Sequence, residues 1–220
     1  MIDGPSLYRG YFVPNGVDPL GLVCQDDCCT DDCCTEEYKK KIDNAFARFK
    51  SCPLAKGLWD GVEKTLGKIK IRCDKDSEFG AAWEPGDDPT ISIGCYKDEA
   101  WIIAAILFET LNASNDRTLA TLNRLGRLGL LGRDQYARAI VKTEYSHLRK
   151  HHSIASACFL FSYWPEAADG YKDQVELGLT PDQFADSWEE SQHYDSYTED
   201  WDKYFKKPWC QKNAGHPDCQ

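Results

Sequence analysis

The stretch AWIIAAILFETLNA, residues 100–113, is the most apolar of the chain and indicates where its core lies. It is rich in Ile, Ala and Leu and carries no Gly or Pro that would interrupt a helix. Its apolar part is much shorter than the ~20 residues that a transmembrane helix needs. The stretch therefore predicts a buried helix of a globular core, extending from Lys97 to Ser114.

Helical patterns dominate the rest of the chain, with two short stretches of strand character before the 100–113 stretch. Apolar spacing and Pro stops predict five further helices, over Glu36–Lys50, Leu54–Leu66, Leu119–Leu131, Arg133–Tyr163 and Pro181–Glu190. Thr35 and Thr180 are the predicted N-caps of the first and the last of them. Residues 68–73 and 90–94 alternate polar and apolar side chains and are predicted to pair as strands. The fold class is therefore mainly α (α+β), a helical domain with a small two-stranded β element.

The charge of the chain argues against a nucleic-acid substrate. The 220 residues carry a net charge of −10, whereas Lys and Arg supply most of the affinity of a protein for phosphate backbones. A local basic group is present, and its helical spacing favours a solvated helix face. Its members are Arg124, Arg127, Arg133, Arg138 and Arg149.

Cysteine is abundant, with 11 residues, and five of them crowd between Cys24 and Cys34. Thiolates bind zinc or copper(I), but this spacing is not that of a zinc ribbon. We therefore favour disulfides that bond this Cys-rich segment to its own domain or to a larger parent protein. Cys210 and Cys219 are predicted to close a C-terminal loop, and the odd total leaves at least one thiol bonded elsewhere or free.

Two polar residues interrupt the apolar 100–113 helix. Glu109 falls in the stripe formed by Ile102, Ile106 and Ala113, and Asn112 lies one turn further on. A carboxylate among Ile, Leu and Phe side chains is expected to have a raised pKa, as general acids and bases require. A buried polar pair that fixes helix register is the structural alternative.

The long helix that begins at Arg133 repeats this pattern. Glu144, His147 and His151 are spaced i, i+3 and i+7, so they share one helix face that is otherwise apolar. Glu144-x-x-His147 is the spacing found in carboxylate-bridged bundle sites. A divalent metal such as zinc, bound by Glu144, His147 and His151, is one interpretation of this face.

Metal-free chemistry is compatible with the same residues. Glu109 would act as acid/base with His147 orienting it, and Glu144 would supply the second carboxylate that a glycan-cleaving enzyme needs. The predicted catalytic set is Glu109, Asn112, Glu144, His147 and His151. Acyl transfer from Cys95 or Cys158 is a further possibility, although no flanking signature supports either thiol.

A turn-rich segment opens the chain, reading YRGYFVPNGVDPLGL over residues 8–22. It resembles the end of the core of RHS/YD-repeat proteins, where Asp-Pro-x-Gly-x marks the junction between a large β-cage and a variable C-terminal toxin. The resemblance implies an RHS remnant at 1–22, a Cys-rich linker at 23–35 and a toxin (effector) domain at 36–220. It implies an immunity protein and the parent β-cage as partners, and a secreted or cell-surface toxin that acts in the target cell.

A second, shorter resemblance concerns residues 90–113. A strand followed by a helix with Phe108-Glu109-x-x-Asn112 is similar in layout to zincin metallopeptidases, in which an edge strand precedes a His-Glu-x-x-His helix. Glu109 falls on the general base, whereas Phe108 and Asn112 occupy the metal-ligand positions. Because Phe cannot bind zinc, the resemblance implies a site without its metal on this helix.

These observations favour a hydrolase that acts on peptide or peptidoglycan bonds by Glu/His acid–base chemistry. A non-enzymatic effector that binds a protein or membrane target is the alternative, with nuclease activity ranked lower. The aromatic, acidic C-terminal segment would be the interface of such a binder, because Trp and Tyr are enriched at binding hot spots. Its aromatic residues are Trp188, Tyr194, Tyr197, Trp201, Tyr204, Phe205 and Trp209.

Overall fold

The structure is a computed structural model that describes residues 34–75, 81–95, 99–158, 175, 177–188 and 192–219. Several expectations lie outside these residues: the RHS-like junction at 8–22, the cysteines at positions 24, 28, 29 and 33, and the final turn of the long helix at 159–163. The side chain of Trp188 also lies outside them.

The described residues are mainly helical and include eight α-helices and one three-stranded sheet. The elements are α1 Glu36–Ser51, α2 Pro53–Leu66, β1 Lys70–Cys73, β2 Ala81–Glu84, β3 Thr90–Ile93, α3 Glu99–Ser114, α4 Asp116–Arg127, α5 Arg133–Cys158, α6 Pro181–Trp188, α7 Gln192–Tyr204 and α8 Lys206–Lys212, followed by a short 3-10 helix, Pro217–Cys219. The prediction of a mainly helical α+β fold is confirmed.

The chain divides into two compact units. Unit 1 consists of Met1–Ser114 and Leu148–Asp173, and unit 2 consists of Asn115–His147 and Gln174–Gln220. Helix α5 contributes its first part to unit 2 and its second part to unit 1.

The sheet of unit 1 has the strand order β1-β3-β2. The predicted pairing of residues 68–73 with 90–94 is confirmed: β1 and β3 are parallel, with Lys70 opposite Thr90. The third strand, β2, pairs antiparallel with β3 and is absent from the sequence-based prediction. Its sequence, AAWE, has no polar–apolar alternation, and its burial pattern follows from pairing with β3 rather than from local sequence.

Helices α1, α2 and α3 form the helical part of unit 1. The predicted cap of α1 is confirmed, because Thr35 Oγ1 accepts a hydrogen bond from the Tyr38 backbone N–H at 3.1 Å. The rings of Phe46 in α1 and Trp59 in α2 lie 4.6 Å apart between centroids. Every side chain of α3 from Trp101 to Ala113 is buried, as the 100–113 sequence predicts.

Disulfide bonds cross-link distant parts of unit 1. Cys34 is bonded to Cys73 in β1, and Cys52 at the junction of α1 and α2 is bonded to Cys158 at the end of α5. Cys95 is also disulfide-bonded. The expectation of a disulfide that clips the linker to its own domain is confirmed at Cys34.

Unit 2 contains more helix than its sequence predicts. The aromatic, acidic segment beyond Gln192 lies outside the predicted helices, but it forms α7 and α8. Its aromatic residues recur at three- and four-residue spacing, and they are buried side chains of the unit 2 core: Tyr194, Tyr197, Trp201 and Phe205. The predicted Cys210–Cys219 disulfide is confirmed.

The connections of unit 2 explain two helix boundaries. Helix α4 ends at Arg127, before the predicted Leu131, because Gly129 adopts a left-handed φ of 61°. A side chain at Gly129 would also collide with the backbone of Pro208. Helix α6 begins after the predicted cap Thr180, which accepts from the Gln183 N–H at 3.2 Å, while the Gln183 side chain accepts from the Thr180 N–H.

Candidate functional site

Glu109 is the buried carboxylate of unit 1. Its side chain is 0% exposed, and Glu109 is the only acidic residue among the buried side chains that the structure describes. Asn112, one turn further along α3, donates a hydrogen bond from Nδ2 to Glu109 Oε2 at 2.9 Å. The i, i+3 spacing places both groups on one helix face, as predicted.

His151 is the third predicted site residue of unit 1. Its ring is buried, and Nε2 lies 3.1 Å from the carbonyl oxygen of Ala104 in α3. Because a carbonyl can only accept, Nε2 carries the hydrogen in this contact. The ring also makes an edge contact with Phe108, with centroids 6.4 Å apart. His151 therefore joins the second part of α5 to the turn of α3 that precedes Glu109.

Burial changes the protonation of His151. Desolvation is the main cause that lowers its pKa from 6.5 to about 4; the charge of neighbouring His152 lowers it further, and the hydrogen bond to Ala104 opposes the shift. The imidazole is therefore neutral at pH 7. A neutral imidazole keeps one ring nitrogen as a proton acceptor, so its state suits both a structural and a base role.

The resemblance to zincins fails in one structural detail. The layout requires an edge strand before the helix, whereas β3 is the central strand of the sheet, between β1 and β2. Phe108, at the position of the first metal ligand, is buried and contacts the ring of His151. The burial of Glu109 and its hydrogen bond with Asn112 therefore carry the case for a site on this helix.

Glu144 and His147 belong to unit 2. The carboxylate of Glu144 accepts a hydrogen bond from the hydroxyl of Tyr197 in α7, and His147 is fully buried. Glu109, Asn112 and His151 belong to unit 1. The expectation that Glu109, Glu144, His147 and His151 form one shared site stays a prediction.

Tyr197 is a site residue that sequence reasoning missed as a partner of Glu144. It lies 53 residues along the chain from Glu144. The available signal is the helical spacing of Tyr194, Tyr197 and Trp201, which indicates a buried aromatic stripe. That spacing predicts which face of α7 is buried, but it does not predict that Tyr197 donates a hydrogen bond to Glu144.

Metal and thiol chemistry find little support in the described residues. Residues 34–75, 81–95, 99–158, 175, 177–188 and 192–219 contain no group of three or more His, Cys, Asp or Glu side chains that could hold a metal ion. No such group therefore supports the metal site predicted at Glu144, His147 and His151. Cys95 and Cys158, considered as nucleophiles, are both disulfide-bonded, so the oxidised protein offers neither thiol.

Several side chains that the sequence suggests for binding are buried or ion-paired within unit 2. Tyr194, Tyr197, Trp201 and Phe205 are buried, so these aromatic residues do not form an exposed hot spot. Two arginines of the basic group are ion-paired: Arg133 with Asp202 at 3.0 Å and Arg138 with Asp186 at 2.5 Å. Among the described helices, none is long and apolar enough to cross a membrane.

Comparison with known proteins adds no relative. No protein-family model, curated protein or solved structure matches the chain.

Proposed function

We propose that this chain is the toxin domain of an RHS-repeat protein and acts as a hydrolase, with Glu109 as its general acid/base. The observation that carries the enzymatic part is the complete burial of the Glu109 carboxylate on the most apolar helix of unit 1. Removing a carboxylate from water is costly, and a folded protein retains such a group where it stabilises the fold or serves chemistry.

The chemistry of Glu109 follows from its surroundings. Asn112 donates to one carboxylate oxygen, Oε2, and thereby fixes the orientation of the group. A carboxyl group held in this orientation can give a proton to a leaving atom and take one back from water. This cycle suits the cleavage of peptide or peptidoglycan bonds, in which the leaving nitrogen or oxygen must be protonated.

The assignment to a toxin rests on the sequence of residues 8–22, which resembles the junction that precedes RHS toxins. Disulfide bonding in both units supports an exported protein, because disulfides persist in oxidising compartments. The net charge of −10 favours peptide or glycan substrates over nucleic acids. An immunity protein in the producing cell is the partner that this function requires.

The test is expression of the full chain in a bacterium, directed either to the cytoplasm or to the periplasm. We expect growth arrest when the chain reaches the periplasm, where disulfides form and cell-wall substrates lie. Glu109→Gln should relieve the arrest at unchanged soluble yield. Glu99→Gln on the same helix is the matched control, because Glu99 is ion-paired with Arg48 and partly exposed. A wild-type chain that is harmless in both compartments would overturn the toxin assignment.

A further inference from the structure

We propose that the Cys52–Cys158 disulfide is a redox latch. In a reducing cytosol the bond is broken and unit 1 is inactive; after export the bond forms and unit 1 becomes active. The functional part of this proposal rests on the proposed toxin activity. The structural part concerns one segment, residues Leu148 to Cys158, which is called the return segment below.

The return segment belongs to unit 1 but comes from a distant part of the chain. Unit 1 ends its first stretch at Ser114, and the chain rejoins the unit only at Leu148, after contributing residues 115–147 to unit 2. The buried face of the return segment carries Leu148, His151 and Ala155. One of these side chains is a single methyl group and another is an imidazole, so hydrophobic burial on this face is modest. The covalent bond at Cys158 therefore contributes strongly to holding the segment in place.

His151 connects the Cys52–Cys158 disulfide to the candidate site. His151, two turns before Cys158, lies against Ala104 and Phe108 of α3, directly before Glu109. Release of Cys158 frees the end of the return segment and with it the imidazole that packs on this turn. Reduction thus loosens the surroundings of Glu109 without breaking any bond in α3 itself.

Two features of the disulfide suit it to exchange with a thiol. Cys158 is partly exposed, whereas Cys52 is 5% exposed and occupies the N-cap position of α2, a helix of 14 residues. A reductant can therefore attack Cys158 and release Cys52 as the thiolate. The helix N-terminus stabilises that thiolate, and a more stable leaving thiolate leaves faster.

The exchange is balanced in both directions. In the cytosol one thiol of a dithiol reductant forms a mixed disulfide with Cys158 and releases Cys52. The second thiol of the reductant then attacks this mixed disulfide, forms the reductant's own disulfide and releases Cys158, so that two electrons and two protons pass to Cys52 and Cys158. After export a disulfide-bearing oxidant accepts the same two electrons and two protons and restores the Cys52–Cys158 bond. The producing cell would hold the open form, which complements protection by an immunity protein.

The structural test compares two paired variants of the full chain by amide hydrogen exchange. Cys52→Ala/Cys158→Ala removes the latch, and Cys210→Ala/Cys219→Ala removes the disulfide of unit 2, which spans only 9 residues. We expect exchange in residues 148–158 to rise at least ~10-fold in the latch variant, which corresponds to about 1.4 kcal/mol of lost local stability, and to stay at the wild-type rate in the control. Unchanged exchange in the latch variant would overturn the proposal, and so would a global loss of protection that includes α7.

The functional test uses the same variants directed to the periplasm. The latch variant should lose growth arrest, and the Cys210→Ala/Cys219→Ala variant should retain it. Arrest by the latch variant at the wild-type level would refute the switch. If the wild-type chain is not toxic at all, the toxin assignment fails by itself, and the hydrogen-exchange result still decides whether the latch exists.

Discussion

Unit 1 and unit 2 are stabilised by different means. In unit 1, disulfides connect residues 39 and 106 positions apart, and the core encloses the carboxylate of Glu109, the one acidic side chain buried among the described residues. In unit 2, the disulfide is local, and the buried aromatic rings of α7 meet groups of α5 and the α4–α5 connection. Trp201, for example, donates from its indole N–H to the Leu131 carbonyl at 3.0 Å. The difference indicates that unit 1 tolerates a buried carboxylate because covalent bonds restrict its unfolded state.

Reduction of all disulfides should show the largest contrast between the units. In the chain-entropy account, closing loops of 39 and 106 residues stabilises by about 4 and about 5 kcal/mol, against about 3 kcal/mol for a 9-residue loop. We therefore expect a reductant to lower the unfolding free energy of unit 1 much more than that of unit 2. Hydrogen exchange with and without reductant measures both; equal losses of protection in α3 and α7 would contradict the comparison.

Acid should destabilise unit 1 through His151. Its folded pKa of about 4 lies below the ordinary value of 6.5, so the unfolded chain binds a proton that the folded chain does not. The contribution of His151 to stability is complete above pH 6.5 and falls as the pH drops from there towards the folded pKa, by about 3 kcal/mol in total. Urea unfolding across this pH range measures the loss.

The matched variant for this effect is His151→Gln, which retains a hydrogen-bond donor toward Ala104 but does not titrate between the folded and unfolded pKa values of His151. Its stability should depend less steeply on pH than that of the wild type. An identical slope in both proteins would assign the acid sensitivity to groups other than His151.

Tyr197→Phe probes the non-covalent packing of unit 2. The substitution keeps the ring and removes the hydroxyl that donates to Glu144. A hydrogen bond to a charged group contributes about 1.5–3 kcal/mol, so the unfolding free energy should fall by about 2 kcal/mol. Tyr194→Phe is the control, because its hydroxyl lies at the longer distance of 3.3 Å from Asp134 and should contribute less. A larger loss in the control would reverse this order.

Local signals predict the parts of the fold that local chemistry determines. Thr35 and Thr180 are recognisable as caps because a hydroxyl at the helix start needs no distant partner. The 100–113 stretch reveals its own burial, and Glu109 stands out because it interrupts an apolar run. Strand β2 escapes prediction because its structure depends on pairing with β3.

Distant partners account for most of the remaining differences. The sequence does not indicate which group contacts Glu144, because Tyr197 is far away along the chain and lies in a segment for which no helix is predicted. It also does not indicate that α5 belongs to two units, because the helical pattern continues without a break across Leu148. Such features depend on tertiary packing rather than on periodicity.

The stability of the Glu109→Gln variant distinguishes a carboxylate kept for chemistry from one kept for the fold. If Glu109 is buried for chemistry, a neutral amide of the same size should fit the apolar site at least as well. The substituted amide can still accept a hydrogen bond from Asn112, and the cost of burying a charge disappears. We predict an unfolding free energy in urea equal to or higher than that of the wild type. A loss of about 3 kcal/mol or more would show instead that the carboxylate is part of a buried network that stabilises the fold, and it would contradict the account.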